Sequence, residues 1–558
     1  METRTTTTLL LIAALAGCSQ EPAPGGDPVF DWFEYAGSDA VHEGATVTDS
    51  TYLNPIIAGF YPDPSIVRVG DDFYLVQSSF AYFPGIPVFH SRDLVSWTQI
   101  GNVIERESQA DFTGLGVSQG VFAPTIRHKD GLFYVINTLV NEKWNVVFTA
   151  TDPAGPWSEP YPFSQIDGID PSILFDDDGK AYITNNGPPP SEPLYEGHRA
   201  LYVREFDPVA MTTGPPRLAV DGGVDLSDKP IWIEAPHLFK VDGLYYLIAA
   251  EGGTEDGHSQ VVFRSESPMG PFTPGEVNPI LTQRHIPVGR AHPVTSSGHA
   301  DFVQTAAGDW WAVFLATRPY ADDRYYNTGR ETFLLPVEWE DGWPTIVGGL
   351  EPIQAVQRRP NLAPDPNPAP PTTGTFSRRY DFDEPLSHEW LSLRAPYHDW
   401  VDLRSTPGWL QLTSGADSLS GTGRPTYVAL RQRHLTGSAR TAVRYTPGSS
   451  DDRAGLVAFQ SEGAHLMLLV TGSGVEVIAQ DGTDERTLGS VGLDVSGTVF
   501  LRIDFDGGDY DFYAATSAED WTAVVENIDG RLLSTLSAGG FVGTTLGMYA
   551  HSPRVRSE

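Results

Sequence analysis

Short apolar runs, each broken within a few residues by Gly, Asp or Pro, make up most of the chain, and none sustains the 3.6-residue period of a long helix. Five segments repeat one order: a start with Pro or a small residue, an apolar strand, a Gly or Asp turn, then an aromatic-rich strand. They are Asp63-Pro64-Ser65-Ile66 through Gly70-Asp71 to Phe73-Tyr74-Leu75, Ala123-Pro124-Thr125-Ile126 through Asp130-Gly131 to Phe133-Tyr134-Val135, and Asp170-Pro171-Ser172-Ile173 through Asp178-Gly179 to Tyr182-Ile183. The fourth runs from Ala235-Pro236-His237-Leu238 through Asp242-Gly243 to Tyr245-Tyr246-Leu247, and the fifth from His299-Ala300-Asp301-Phe302 through Gly308-Asp309 to Trp310-Trp311. Each has the composition and turn chemistry of a β-hairpin. The starts fall 60, 47, 65 and 64 residues apart, room for a four-stranded blade and its loops. An all-β, five-bladed β-propeller over 51–359 is therefore predicted, with the innermost strands lining one channel.

The run Pro364-Asp365-Pro366-Asn367-Pro368-Ala369-Pro370-Pro371 cannot pack a core and favours an extended spacer, so 360–374 reads as a linker. Beyond it, over 375–558, alternating runs such as Ala454–Phe459 and Thr498–Ile503 predict an antiparallel β-sandwich of concanavalin or jelly-roll type. At the other end Arg4 precedes the apolar stretch Leu9–Gly17, far shorter than the roughly 20 residues of a spanning helix, which reads as an export signal. Leu15-Ala16-Gly17-Cys18 resembles the lipobox of bacterial lipoproteins, where cleavage precedes a lipid-bearing Cys. Cys18 is the only cysteine of the chain, so disulfides cannot staple it. The expectation is a signal over 1–18, lipidation at Cys18, a tether over 19–50, and export to a bacterial cell surface or periplasm as a lipid-anchored protein.

Composition then removes whole classes of function. With 40% hydrophobic and 19% charged residues the chain can bury a sizeable core. Its 36 basic against 72 acidic residues leave a net charge of −36 with no basic run, which makes nucleic acid a poor partner and favours a neutral ligand.

Within the repeats, Asp63 and Asp170 stand immediately before the opening Pro and Glu234 two residues before it, so the propeller geometry brings three carboxylates to one end of one channel. Repeats two and five carry Phe122 and His299 there instead. Carboxylates held close together cannot all ionise freely, and such environments separate an acid from a base. One could protonate a leaving oxygen while another activates water.

These residues carry a resemblance. The strings at 54–94, 120–135, 168–183, 229–247 and 327–344, including FYPDPS, FAPTIRHKDG, GIDPS, IEAPH and NTGRET, resemble glycoside hydrolase family 43, in its β-xylosidase and α-L-arabinofuranosidase branch with a C-terminal sandwich. The resemblance implies an exo-acting hydrolase that inverts the anomeric carbon and releases terminal pentose, β-D-xylose before α-L-arabinofuranose, from neutral xylo-oligosaccharides or xylan. It puts the general base at Asp63, the general acid at Glu234 and the orienting carboxylate at Asp170. An inverting pair needs roughly 6.5–9.5 Å between acid and base. Phe80 and Phe122 match apolar walls around the sugar, and Arg330 matches an arginine on its hydroxyls, a structural salt bridge with Glu331 or a neighbour being the alternative. His299 matches a channel histidine that in some relatives lies near calcium; no cofactor is required, and a Ca2+ at His299 stands beside the reading of a hydrogen-bonded core residue. A binding propeller without catalysis and an adhesive surface protein are the competing readings from other classes.

Overall fold

The computed structural model describes residues 26–43, 47–320, 324–366 and 368–553. The signal segment and Cys18 lie outside the described residues.

Each of the five repeats opens an antiparallel sheet whose strands follow chain order. The first is Ser65–Val69, Asp72–Val76, Gly85–Ser91 and Thr98–Ile104. The others begin with inner strands Thr125–Lys129, Ile169–Phe175, Glu234–Val241 and Thr295–Gln304. These inner strands adjoin one another in cyclic order, the fifth returning to the first, which closes the ring. The hairpin turns explain the tight spacing: at Asp130-Gly131 and Asp242-Gly243 both residues have positive φ, 51° and 81°, 50° and 82°, which Asp tolerates and Gly adopts freely. Closure is made by the residues just before the first blade. Thr51–Leu53 pairs with Val356–Arg358, Ile57 bridges to Thr332, and the Asn54 side chain exchanges hydrogen bonds with Leu334 of the fifth blade at 2.8 and 3.0 Å.

The second domain is a two-sheet sandwich. One sheet of six runs Thr426–Arg431, Thr545–His551, Arg453–Ser461, Ala464–Thr471, Gly474–Asp481 and Asp484–Gly492. The facing sheet contains a strand from the other end of the chain. Val29–Ser38 pairs with Thr436–Arg444 on one side and Phe376–Tyr380 on the other. This corrects the expected tether over 19–50. The polar composition of that stretch hides the segment VFDWFEY, whose Phe30, Phe33 and Tyr35 are fully buried in the sandwich core with Leu456, Leu468 and Ile503. A β-bulge between Phe30 and Trp32 keeps the apolar face inward. Immediately after this strand, Asp39 binds Arg318 of the propeller, which also donates to both Glu331 oxygens at 2.6 and 2.8 Å and to the Arg433 carbonyl at 3.0 Å.

The Pro-rich stretch runs along the propeller rather than free of it: Thr372 and Thr373 hydroxyls donate to the carbonyls of Ile56 and Pro55 at 3.0 and 2.6 Å. The two domains also share an apolar cluster in which Phe60, Phe80 and Tyr82 pack with Leu391, Tyr427, Phe459 and Val542.

Candidate active site

At the start of the inner strands the ladder is irregular. Register shifts fall between Ile169 and Ser172, between Glu234 and His237, and between Thr295 and Asp301. Asp63, Asp170, Ala235 and His299 all have left-handed φ, between 52° and 56°. A non-glycine residue held there is strained, and its side chain leaves the pleat direction. In the fourth blade the left-handed residue is Ala235, so Glu234 enters one position earlier than the two aspartates do in their own blades.

All seven side chains expected at the site line one cavity of about 490 Å³: Asp63, Asp170, Glu234, Phe80, Phe122, His299 and Arg330. Asp63 accepts from Ser78 Oγ at 2.6 Å and from Arg330 Nη1 at 3.2 Å, and His299 Nδ1 lies 3.2 Å from the same carboxylate. Burial alone would raise its pKa, but the charges of Arg330 and His299 outweigh that and hold the group well below the usual carboxylate range. Asp63 therefore stays ionised. Asp170 accepts the Ala235 N–H at 3.2 Å; burial raises its pKa, His299 offsets part of the rise and Asp63 adds to it. Glu234 is raised by burial first and by the nearby Asp170 second. One carboxyl is pushed down and another up inside one cavity, the separation that lets a base and an acid coexist.

Arg330 pairs with Asp63, while its neighbour Glu331 is taken by Arg318. Arg330 therefore makes its salt bridge with Asp63 and not with Glu331. His299 is raised because Asp63 outweighs the burial that would lower it. Among the described residues no group of three or more His, Cys, Asp or Glu side chains is arranged to hold a metal ion. The His299 ring belongs to the carboxylate network through Asp63.

Several lining residues were not foreseen. Phe541 comes from the sandwich domain, in the run Gly539-Gly540-Phe541-Val542-Gly543. Its ring stacks on Phe80 at 6.0 Å and 19°, meets Phe122 edge-on at 5.6 Å, and lies 5.5 Å from the Arg330 guanidinium. Its N–H donates to Ser118 Oγ at 2.9 Å. The loop fits because Gly543 meets Gly329 back to back: a Cβ on Gly543 would lie 2.7 Å from the Gly329 nitrogen. Ile231, Trp232 and Glu255 complete the rim. The signal for Phe541 was absent, since a lone Phe among glycines carries no address. Trp232 stood in the IWIEAPH string two residues before Glu234.

Directly below the carboxylates, each blade supplies one polar residue to a plug: Ser65, Arg127, Ser172, His237 and Asp301. Arg127 donates to both Asp301 oxygens at 2.9 and 3.2 Å, Ser65 Oγ donates to Asp301 at 2.7 Å, and Ser172 Oγ lies 3.1 Å from His237 Nδ1. Burial pushes the His237 ring down to about 3, so it is neutral. Burial would raise Asp301, but the Arg127 charge and the hydrogen bonds from Arg127 and Ser65 hold it below its usual value.

A closed ring of five blades with an acid–base pair of carboxyl groups at one mouth defines a propeller-type hydrolase. Residues 52–344 match the model for glycosyl hydrolases family 43, and 379–558 match the model for the beta xylosidase C-terminal concanavalin A-like domain. A xylosidase/arabinosidase of Butyrivibrio fibrisolvens is 39% identical over 89% of this chain and 95% of its own length. A non-reducing end alpha-L-arabinofuranosidase of Bacteroides ovatus is 38% identical over 90% and 92%. The crystal structure of a GH43_12 protein retrieved from a capybara gut metagenome superposes with a TM-score of 0.86 at 35% identity, covering 94% of this chain and 99% of that one. The chain belongs to glycosyl hydrolases family 43 and is a glycoside hydrolase.

Proposed function

We propose that this hydrolase is exo-acting and inverting, and that it releases terminal β-D-xylose from neutral xylo-oligosaccharides or xylan. The observation that carries the reading is the opposite displacement of Asp63 and Glu234 inside one cavity. Asp63, kept ionised by Arg330 and His299, takes a proton from the attacking water. Glu234, kept protonated by burial beside Asp170, gives its proton to the departing glycosidic oxygen. Asp170 orients and tunes the acid. Phe80, Phe122 and Phe541 wall the sugar that is cleaved off, and because Phe541 arrives from a second domain it narrows the cavity toward a chain end. The acidic surface field leaves a neutral glycan unopposed.

Release of α-L-arabinofuranose is the second reading, favoured by the relatives named above, whose activities include both sugars. Nitrophenyl β-D-xylopyranoside and nitrophenyl α-L-arabinofuranoside, assayed side by side with NMR of the first-formed sugar, decide between them. The expected product is the inverted anomer; first appearance of the retained anomer overturns single displacement. Asp63→Asn and Glu234→Gln each lose about 10²–10⁴ in kcat while keeping the wild-type circular dichroism. Wild-type rates in either variant would remove the assignment.

The protein is further read as exported and lipid-anchored at Cys18, with the tether reduced to the residues between Cys18 and the strand that starts at Val29. Partition into the detergent phase of Triton X-114 that is lost in Cys18→Ser supports the anchor; unchanged partition refutes it.

A further inference from the structure

The cavity holds two aromatic surfaces, and only one belongs to the sugar wall. Phe80, Phe122 and Phe541 contact one another and Arg330. Among the described residues no ring contact joins Trp232 to that wall; the guanidinium of Arg199, from the third blade, lies 5.3 Å over its ring instead. Trp232 and Ile231 are each 41% exposed, whereas Asp63, Asp170, Glu234, His299, Arg330 and Phe80 of the same cavity are buried. A half-exposed tryptophan at a rim leaves apolar surface open to a ligand.

Its position is fixed, not incidental. The Trp232 N–H donates to the Gly197 carbonyl at 2.8 Å, and the Gly252 N–H to the Ile231 carbonyl at 2.9 Å. Trp232 has a φ of 53°, a left-handed conformation that a bulky residue keeps only where its surroundings impose it. Ile233 is fully buried, so the side chains on either side of it, Trp232 and Glu234, both look into the cavity. Arg199 Nε is buried with no hydrogen-bond partner among the described residues.

We propose that Trp232, framed by Ile231 and Arg199, is the platform on which the leaving sugar rests, the unit across the scissile bond from the one released. The inference rests on Glu234 as the proton donor. The oxygen that receives the proton must lie beside Glu234, and the sugar attached to it extends away from the Phe80–Phe122–Phe541 wall. The flank of Glu234 that is left is the one occupied by Trp232. A flat pyranose presents axial C–H bonds to an indole face. The platform therefore selects substrates that continue as a chain of pyranose units over those with a small aglycone.

The test compares xylobiose, whose leaving group is a sugar, with β-D-xylosyl fluoride, whose leaving group cannot reach Trp232. In Trp232→Ala the ratio of kcat/KM for xylobiose to kcat/KM for the fluoride falls at least fivefold, and Trp232→Phe, which restores a ring face, recovers it to within fivefold of wild type. A ratio that moves less than fivefold in Trp232→Ala overturns the platform. If that variant does not fold, Trp232→Leu, which keeps apolar bulk without a ring face, takes its place under the same threshold. Wild-type protein that turns over neither substrate would defeat the β-xylosidase reading, and this one with it; normal wild-type turnover with an unmoved ratio defeats the platform alone.

Discussion

The two layers of the central channel are built by the same five strands, yet their charges are arranged in opposite ways. In the plug, Asp301 is fully buried and completely answered: Arg127 binds both oxygens, and Ser65 Oγ and the N–H groups of Ile66 and Phe302 take up the rest. Two residues nearer the mouth on the same strands, Asp63, Asp170 and His299 sit with Glu234, three carboxyl groups around one arginine and one histidine. Asp170 and Glu234 are left short of cationic partners, and both are pushed up. The difference teaches where the fold spends its regularity. The lower layer has paired charges, and the upper layer has left-handed backbone and carboxyl groups that cannot all ionise, which is where catalytic pKa values are set.

Breaking the lower layer gives the largest effect on stability. Asp301→Ala removes the partner of a mostly buried Arg127 and leaves its charge uncompensated, at a cost of about 3–5 kcal/mol. Thermal unfolding followed by circular dichroism is expected to show a clear fall in Tm for Asp301→Ala and partial recovery when Arg127→Met is added. A single variant as stable as wild type would mean that the plug does not lock the ring.

Much of this arrangement was legible in the sequence because propeller geometry turns repetition into proximity. Asp63, Phe122, Asp170, Glu234 and His299 could be placed together from the five repeat starts alone, and the motif resemblance added Phe80 and Arg330. What escaped were residues whose partners are set by tertiary pairing. Val29–Ser38 pairs with Thr436–Arg444, about four hundred residues away, and its aromatic alternation was outweighed by the polar composition around it. Arg127 and Asp301 were visible inside the quoted strings, but only the ring closure of the inner strands shows that they face each other. Phe541 depends on two glycines meeting across a domain boundary, an event that no local pattern announces.

The wall supplied by the second domain is the next point to break. Phe541→Ala removes a ring that stacks on Phe80 and faces Arg330, contacts worth ~1 kcal/mol each. The expected loss is about tenfold in kcat/KM on an aryl xyloside, equivalent to about 1.4 kcal/mol, with Tm within a few degrees of wild type. An unchanged kcat/KM would assign Phe541 to the domain interface and not to the site.

The smallest effect is a pH dependence of stability that belongs to the upper layer alone. A carboxyl raised in the folded state contributes stability that is fully present below its unfolded pKa and is lost as pH rises through the folded value; Glu234 is such a group. Asp63, displaced downward, behaves oppositely and loses its contribution only as pH falls through its folded value, in strong acid. From mildly acidic pH up to about 8, then, the wild-type protein loses stability from Glu234 while Asp63 adds no slope. Glu234→Gln has no carboxyl to ionise, so its Tm declines less than that of the wild type across this interval, by a few degrees. Because Asp170 and Glu234 interact, the transition belongs to the pair, and Asp170→Asn moves its midpoint downward by removing the charge that helps raise Glu234. Parallel Tm curves for wild type and Glu234→Gln across that range would show that Glu234 ionises like an exposed carboxyl, and would take from it the proton it is assigned to donate.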